Sequence, residues 1–140
     1  MTSPQVIRIA AALILNHRGE MLVVRKRATS VFIQPGGKIE PGESPEDALK
    51  RELQEELGCA PISTQFCGRY SAPAVHEANH TVEADFFFVT LAAQQQIVPT
   101  AEIVEAKWID PAKPIEIELA PLTSVHAVPL AASRKGREST

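Results

Sequence analysis

The stretch PGGKIEPGESPEDALKRELQEELG, from Pro35 to Gly58, leaves the chain few choices. Two prolines and three glycines ahead of Ser44 break regular structure, because proline removes a backbone donor and glycine admits turn conformations. Ser44 then supplies an N-cap, Pro45 suits the first helical position, and Asp47 stands where a capping-box partner belongs. Leu49, Leu53 and Leu57 recur every fourth residue and give one buried stripe, and Gly58 suits a left-handed stop. The spacing predicts a loop followed by one helix over Pro45–Leu57.

The rest of the chain reads as strands around that unit. Val6 to Leu15 is β-branched or small and apolar, NHRGE is a turn signal, and Met21 to Val24 resumes the apolar run, which predicts a hairpin. RKRATSVFIQPGGKIEPGES reads mostly as loop. PISTQFCGRYSA, TVEADFFFVTLAA and IVEAKWID read as three further strands, with DFFFVTL apolar enough for the middle of a sheet. A second helix fits IELAPLTSVHAVPLAA if Pro121 and Pro129 stand at its edges or break it. Trp108, Phe86, Phe87 and Phe88 are expected in the core. The pattern predicts one mixed α/β domain over residues 1–140, with about 134–140 as a frayed polar tail.

With 140 residues and 44% hydrophobic content the chain has room for one core. No run approaches the roughly 20 apolar residues a membrane span needs. VIRIAAALIL is short, interrupted by Arg8 and without a basic leader, so the expectation is a cytoplasmic protein with no membrane partner. Cys59 and Cys67 form neither a disulfide framework nor a metal-ligand pattern. A net charge of -3 argues against long nucleic acid as a partner. Small polyanions remain compatible if a divalent cation mediates.

At about 100° per residue, Glu52, Glu55 and Glu56 project within roughly 80° of one another, and like charges at that spacing repel. Arg51 and Lys50 offset only part of this. Mg²⁺ takes oxygen ligands and commonly bridges carboxylates to phosphates, so the cluster reads as a metal platform. From the helix alone, a solubilising charged face explains it equally well. The preceding loop favours the metal: Gly36 and Gly37 let backbone approach a ligand, a loop carbonyl adds an oxygen, and Lys38 brings positive charge. Arg25 and Arg27, expected on one face of a strand end, are candidate phosphate contacts or an ordinary basic terminus. Glu102 and Glu105 are further acidic candidates for a metal or base role. His76 and His80 in AVHEANHTVEA, and Phe32 with Gln34, are candidate base or sugar contacts, with plain packing or surface roles as the alternative.

Gly37, Glu43 and RELQEELGC from Arg51 to Cys59 resemble the Nudix box, with Cys59 where that family usually carries an aliphatic residue. The resemblance implies the Nudix fold, an α/β/α sandwich with a mixed sheet and a loop-helix catalytic motif. It implies a pyrophosphohydrolase in which Glu52, Glu55 and Glu56 are catalytic and bind Mg²⁺, or Mn²⁺ in its place, with the Gly36 carbonyl as a further ligand. Gly37, Glu43 and Arg51 would brace the box, and Arg25, Arg27 and Lys38 would hold substrate phosphates. The short chain resembles MutT-type members that convert (d)NTPs or oxidised (d)NTPs to monophosphate and pyrophosphate. An ADP-ribose or nucleotide-sugar pyrophosphatase is the alternative, and a nucleotide-sensing module without catalysis a third reading. A monomer or a homodimer is expected.

Overall fold

The computed structural model describes residues 5–74 and 77–138, with side chains through Arg134. Its first four strands are β1 (Gln5–Ile14), β2 (Met21–Lys26), β3 (Phe32–Ile33) and β4 (Gly36–Lys38). Helix α1 (Pro45–Leu57) follows, then β5 (Ser63–Pro73), β6 (His80–Thr90) and β7 (Ile103–Ile109). The order is β4-β1-β6-β5 in one sheet and β3-β2-β7 in the other. Strand β1 runs parallel to β6 and antiparallel to β4, so the larger sheet is mixed.

Alternation along β1 explains the layers. Ala10, Ala12 and Ile14 face one way, joined by Leu22 and Val24 of β2, and Leu49, Leu53 and Leu57 of α1 cover them. Ala11 and Leu13 face the other way with Met21 and Val23, and Leu122, Ala127 and Ala131 of the C-terminal helical segment close that side. The result is the expected α/β/α arrangement.

Helix α1 begins and ends where its signals stand. The Ser44 hydroxyl accepts from the Asp47 N–H at 3.1 Å, and Gly58 at φ 63° sends its N–H back to the Gln54 carbonyl.

Four expectations are corrected. Strands β1 and β2 do not form a hairpin: a single bridge, Leu15 to Met21, joins them before they part into different sheets. Both edges of β1 are already taken, by β4 and β6. The segment read as loop contains two short strands, and β4 exists because glycine stands at Gly36: at φ 137°, an added Cβ would lie 2.1 Å from the Ala10 carbonyl oxygen. Trp108 is 37% exposed on β7, outside the core that holds Phe86 and Phe87. The polar tail is helical to Glu138: α2 (Val128–Glu138) follows a π-helical turn, Thr123–Ala127. Pro121 stands at the start of this segment, but Pro129 lies inside it. The Val128 N–H reaches back to the Thr123 carbonyl, and this wide turn just ahead of Pro129 accommodates a ring that has no N–H to give. Among the described residues no helix is long and apolar enough to cross a membrane.

Candidate active site

The loop before α1 and the C-terminal half of α1 meet at two adjacent glycines. The Gly36 N–H donates to Glu56 Oε1 at 3.3 Å. A Cβ placed on Gly37 would lie 2.4 Å from the Glu52 carboxyl carbon, so Glu52 packs where only glycine leaves room. The two glycines are therefore required for different reasons, one by backbone conformation and the other by the carboxylate beside it.

The three helix glutamates, alike in sequence, are unlike in space. Glu56 is 6% exposed, while the side chains of Glu52 and Glu55 are 16% and 55% exposed. The reason is the angle each makes with the leucine stripe: Glu56 follows it inward and Glu55 looks to solvent. Burial pushes the Glu56 carboxyl up to about 7 from its ordinary 4.5, with the negative charges of Glu52 and Glu102 adding to the rise. The Gly36 N–H and the Lys26 charge oppose it.

Arg51 organises the outer side. Its guanidinium gives Nε and Nη2 to the two oxygens of Glu43, at 2.7 and 2.9 Å, and Nη2 also to the Lys38 carbonyl at 3.0 Å. Its Nη1 reaches Glu52 at 2.9 Å and Glu55 at 3.5 Å. This fork ties loop to helix and holds the Glu43 carboxyl down to about 2, chiefly through the Arg51 hydrogen bond.

The expected platform of three converging carboxylates is not assembled: among the described residues no three His, Cys, Asp or Glu side chains gather closely enough to hold a metal ion. Arg51 draws Glu52 and Glu55 outward while Gly36 keeps Glu56 within. The donor chemistry nevertheless fits a hard divalent cation. A buried carboxylate whose proton is retained because of neighbouring negative charge is a site that gains from positive charge.

The substrate-contact candidates are placed unevenly. Arg25 and Arg27 do not share a strand face, because β2 ends at Lys26 and its pairing with β7 shifts between Arg25 and Lys26. Arg25 is engaged by Glu105 at 3.0 Å and by the Thr29 carbonyl, and Arg27 lies exposed in the turn. Glu105 is thereby neutralised, by Arg25 and by Lys107 at 3.7 Å. Lys38 is exposed, and alternation along β4 sets it on the face opposite to Gly37 and Glu52. Phe32 packs in the core beneath the Lys107 ammonium, and Gln34 is buried, accepting from the Thr123 hydroxyl at 2.7 Å. His80 contacts the Ala78 carbonyl and Glu77, and His76 lies outside the described residues.

Sequence reasoning missed Lys26, the basic residue whose charge bears on Glu56, because a bulge invisible in the residue pattern interrupts the alternation there. It also missed Thr100, whose N–H donates to the Glu56 carbonyl at 2.8 Å and whose hydroxyl bonds the Glu55 carbonyl. Two residues later comes Glu102, its carbonyl accepting from the Arg27 N–H.

A family model of the NUDIX domain matches residues 6–132. The chain belongs to the Nudix family. Over 59 residues it is 44% identical to the 8-oxo-dGTP diphosphatase of Escherichia coli, covering 39% of this chain and 46% of that protein. Over 100 residues it is 27% identical to the ADP-ribose pyrophosphatase of Methanocaldococcus jannaschii, covering 69% and 58%. The matches span between 46% and 66% of the lengths of three curated relatives of the 8-oxo-dGTP diphosphatase kind. In fold the chain is similar to the crystal structure of the MutT protein from Methanosarcina mazei Go1, with a TM-score of 0.78 at 24% identity, covering 100% and 99% of the two chains. Helices on both faces of strands that include a mixed sheet are thus shared with a solved Nudix structure.

Proposed function

We propose that this Nudix chain is an Mg²⁺-dependent pyrophosphohydrolase, with Mn²⁺ able to substitute, that hydrolyses a (d)NTP or oxidised (d)NTP to the nucleoside monophosphate and pyrophosphate. The observation that carries the reading is the Glu56 carboxyl, buried under the Gly36 N–H with Glu52 against Gly37 and Glu102 close enough to raise its proton affinity. Such a group is poised to exchange a proton for a cation. The relative from Escherichia coli, itself an 8-oxo-dGTP diphosphatase, supports the substrate class.

In this reading Glu52, Glu55 and Glu56, with the Gly36 carbonyl, hold the metal. The cation supplies neutralisation of phosphate charge and activation of water. Arg51 keeps Glu52 and Glu55 on the helix side of the loop through its fork to Glu43, and Lys38 and Lys26 bring positive charge for phosphate oxygens. The attacking water gives its proton to a carboxylate, for which Glu52, Glu55 and Glu102 are the candidates. Glu102 is held by its backbone through Arg27, whereas the other two side chains are held by Arg51.

The relative from Methanocaldococcus jannaschii favours a second reading, hydrolysis of ADP-ribose at the same site. Rates for (d)NTPs, 8-oxo-dGTP, ADP-ribose and nucleotide sugars, measured side by side with Mg²⁺ for wild type and Glu56→Gln, decide between them. Monophosphate and pyrophosphate released from triphosphates, and lost in Glu56→Gln, is the expected result. Faster turnover of ADP-ribose overturns the substrate, and turnover of nothing, with nucleotide still bound, overturns the enzyme in favour of a sensor.

A further inference from the structure

A half-open cavity of about 420 Å³ lies beyond the ends of β1 and β6, and none of the proposed catalytic or metal-binding residues lines it. It starts at Leu13, two residues past Ala11, the partner of Gly36 in the sheet, and so lies roughly 7 Å or more farther along β1. Its volume is that of a small-molecule site, and its walls are mostly apolar.

Two features narrow what it would hold. Trp108, the one tryptophan of the chain, stands half-exposed on one wall, with Phe88 on another. This offers ring faces to a planar ligand. The charged and ionisable residues at the cavity are Arg134 and His17, and no Asp or Glu lines it although acidic residues outnumber basic ones in the chain, 17 to 14. Arg134 is fixed in place: its guanidinium carbon sits 4.7 Å from the centre of the Phe88 ring and its Nη1 donates to Gln65 Oε1 at 3.3 Å. A guanidinium carries five N–H donors, so an anchored arginine can still present some of them to an anion.

From these observations we infer that the cavity is a second, non-catalytic binding site for a small planar aromatic anion, separate from the carboxylates of α1. The site stands on its own walls, whichever nucleotide the glutamates serve.

The probe is 1-anilinonaphthalene-8-sulfonate, an aromatic sulfonate, with Trp108 as the reporter built into the wall. Titration of the wild type is expected to quench Trp108 emission in one saturable phase at one molecule per chain. Arg134→Gln should weaken binding about tenfold, the cost of one charge-assisted contact. Ala93→Leu, which crowds the cavity from an exposed position, should weaken it as well. Thermal unfolding of each variant checks that it is folded, since a loosened protein also binds this dye. Glu56→Gln should bind the probe like the wild type, and excess dGTP with Mg²⁺ should leave it bound. Displacement by dGTP would make the cavity part of the nucleotide site and overturn the inference. Wild-type affinity in both folded cavity variants, or no saturable signal in the wild type, would overturn it equally.

Discussion

Glu56 gives the sharpest test of how the site is built, because its burial makes a prediction about stability as well as about activity. Its carboxyl titrates at about 7 in the folded chain and at 4.5 when free. The folded state therefore holds a proton that the unfolded state has released over that interval, and stability falls as pH rises from 4.5 to 7. At 1.36 kcal/mol per unit, the interval sets a ceiling of about 3 kcal/mol on the loss. Glu56→Gln keeps an acceptor for the Gly36 N–H and cannot ionise. In EDTA the variant and the wild type should be equally stable near pH 4.5, and the variant should be the more stable by up to about 3 kcal/mol at pH 8. For a chain of this length that difference is about 10 °C in melting temperature. Denaturant unfolding of both proteins across that pH range measures it directly. Added Mg²⁺ should then reverse the order, raising the wild type and leaving the variant unmoved. A difference between the two proteins that stays flat with pH would show that Glu56 is solvated and would remove the observation on which the metal assignment rests.

The two glycines should separate fold from chemistry. Gly36→Ala meets the Ala10 backbone at a positive φ and should cost about 3 kcal/mol or more, seen as loss of soluble protein or a large drop in melting temperature. Gly37→Ala meets only the movable end of Glu52, so it should remain folded while losing about tenfold or more in kcat. Ser44→Ala removes the cap on α1 and should cost about 1 kcal/mol in denaturant unfolding, with little change in turnover. The Glu43 carboxyl, held at about 2 by Arg51, contributes stability above its free value of 4.5 that is lost as pH falls toward 2. Glu43→Gln should therefore flatten the acid limb of the stability profile between pH 5 and 3, and an unchanged limb would refute the pairing.

What was legible in the residues was what local chemistry determines. The cap, the stripe and the stop of α1 lie within a turn of the groups they satisfy, and all three stand where their residue types place them. What depended on partners far along the chain was not legible. Whether β1 pairs with β2 is decided by β4 and β6, which fill both of its edges, and nothing in the sequence near β1 announces them. The Arg25 and Arg27 pair failed for a related reason, since alternation assumes a regular strand and the β2–β7 pairing shifts its register at that point. Trp108 was assigned to the core by residue type alone, and its place on β7 leaves one side of the ring uncovered.

The glutamates show how a single sequence pattern divides into separate roles once it is packed. Periodicity gives all three a common side of α1 and so treats them as equivalent. Burial then breaks the equivalence: the leucines carry Glu56 into the core against the Gly36 N–H, while Arg51, tied by Glu43 to the loop, is left facing Glu52 and Glu55. An inner carboxyl that retains its proton to about pH 7 beside two outer ones already matched by a guanidinium is a different device from three open ligands. Loading it with a cation requires the inner proton to leave and Arg51 to share its partners. Metal affinity should accordingly rise with pH through about 7, and Arg51→Lys, which gives up the fork but keeps the charge, should alter that affinity without shifting its midpoint. Isothermal titration with Mg²⁺ at pH 6 and 8 on wild type and Arg51→Lys tests both halves. A wild-type affinity that does not change between the two pH values would mean that the proton on Glu56 and the metal do not compete for one group.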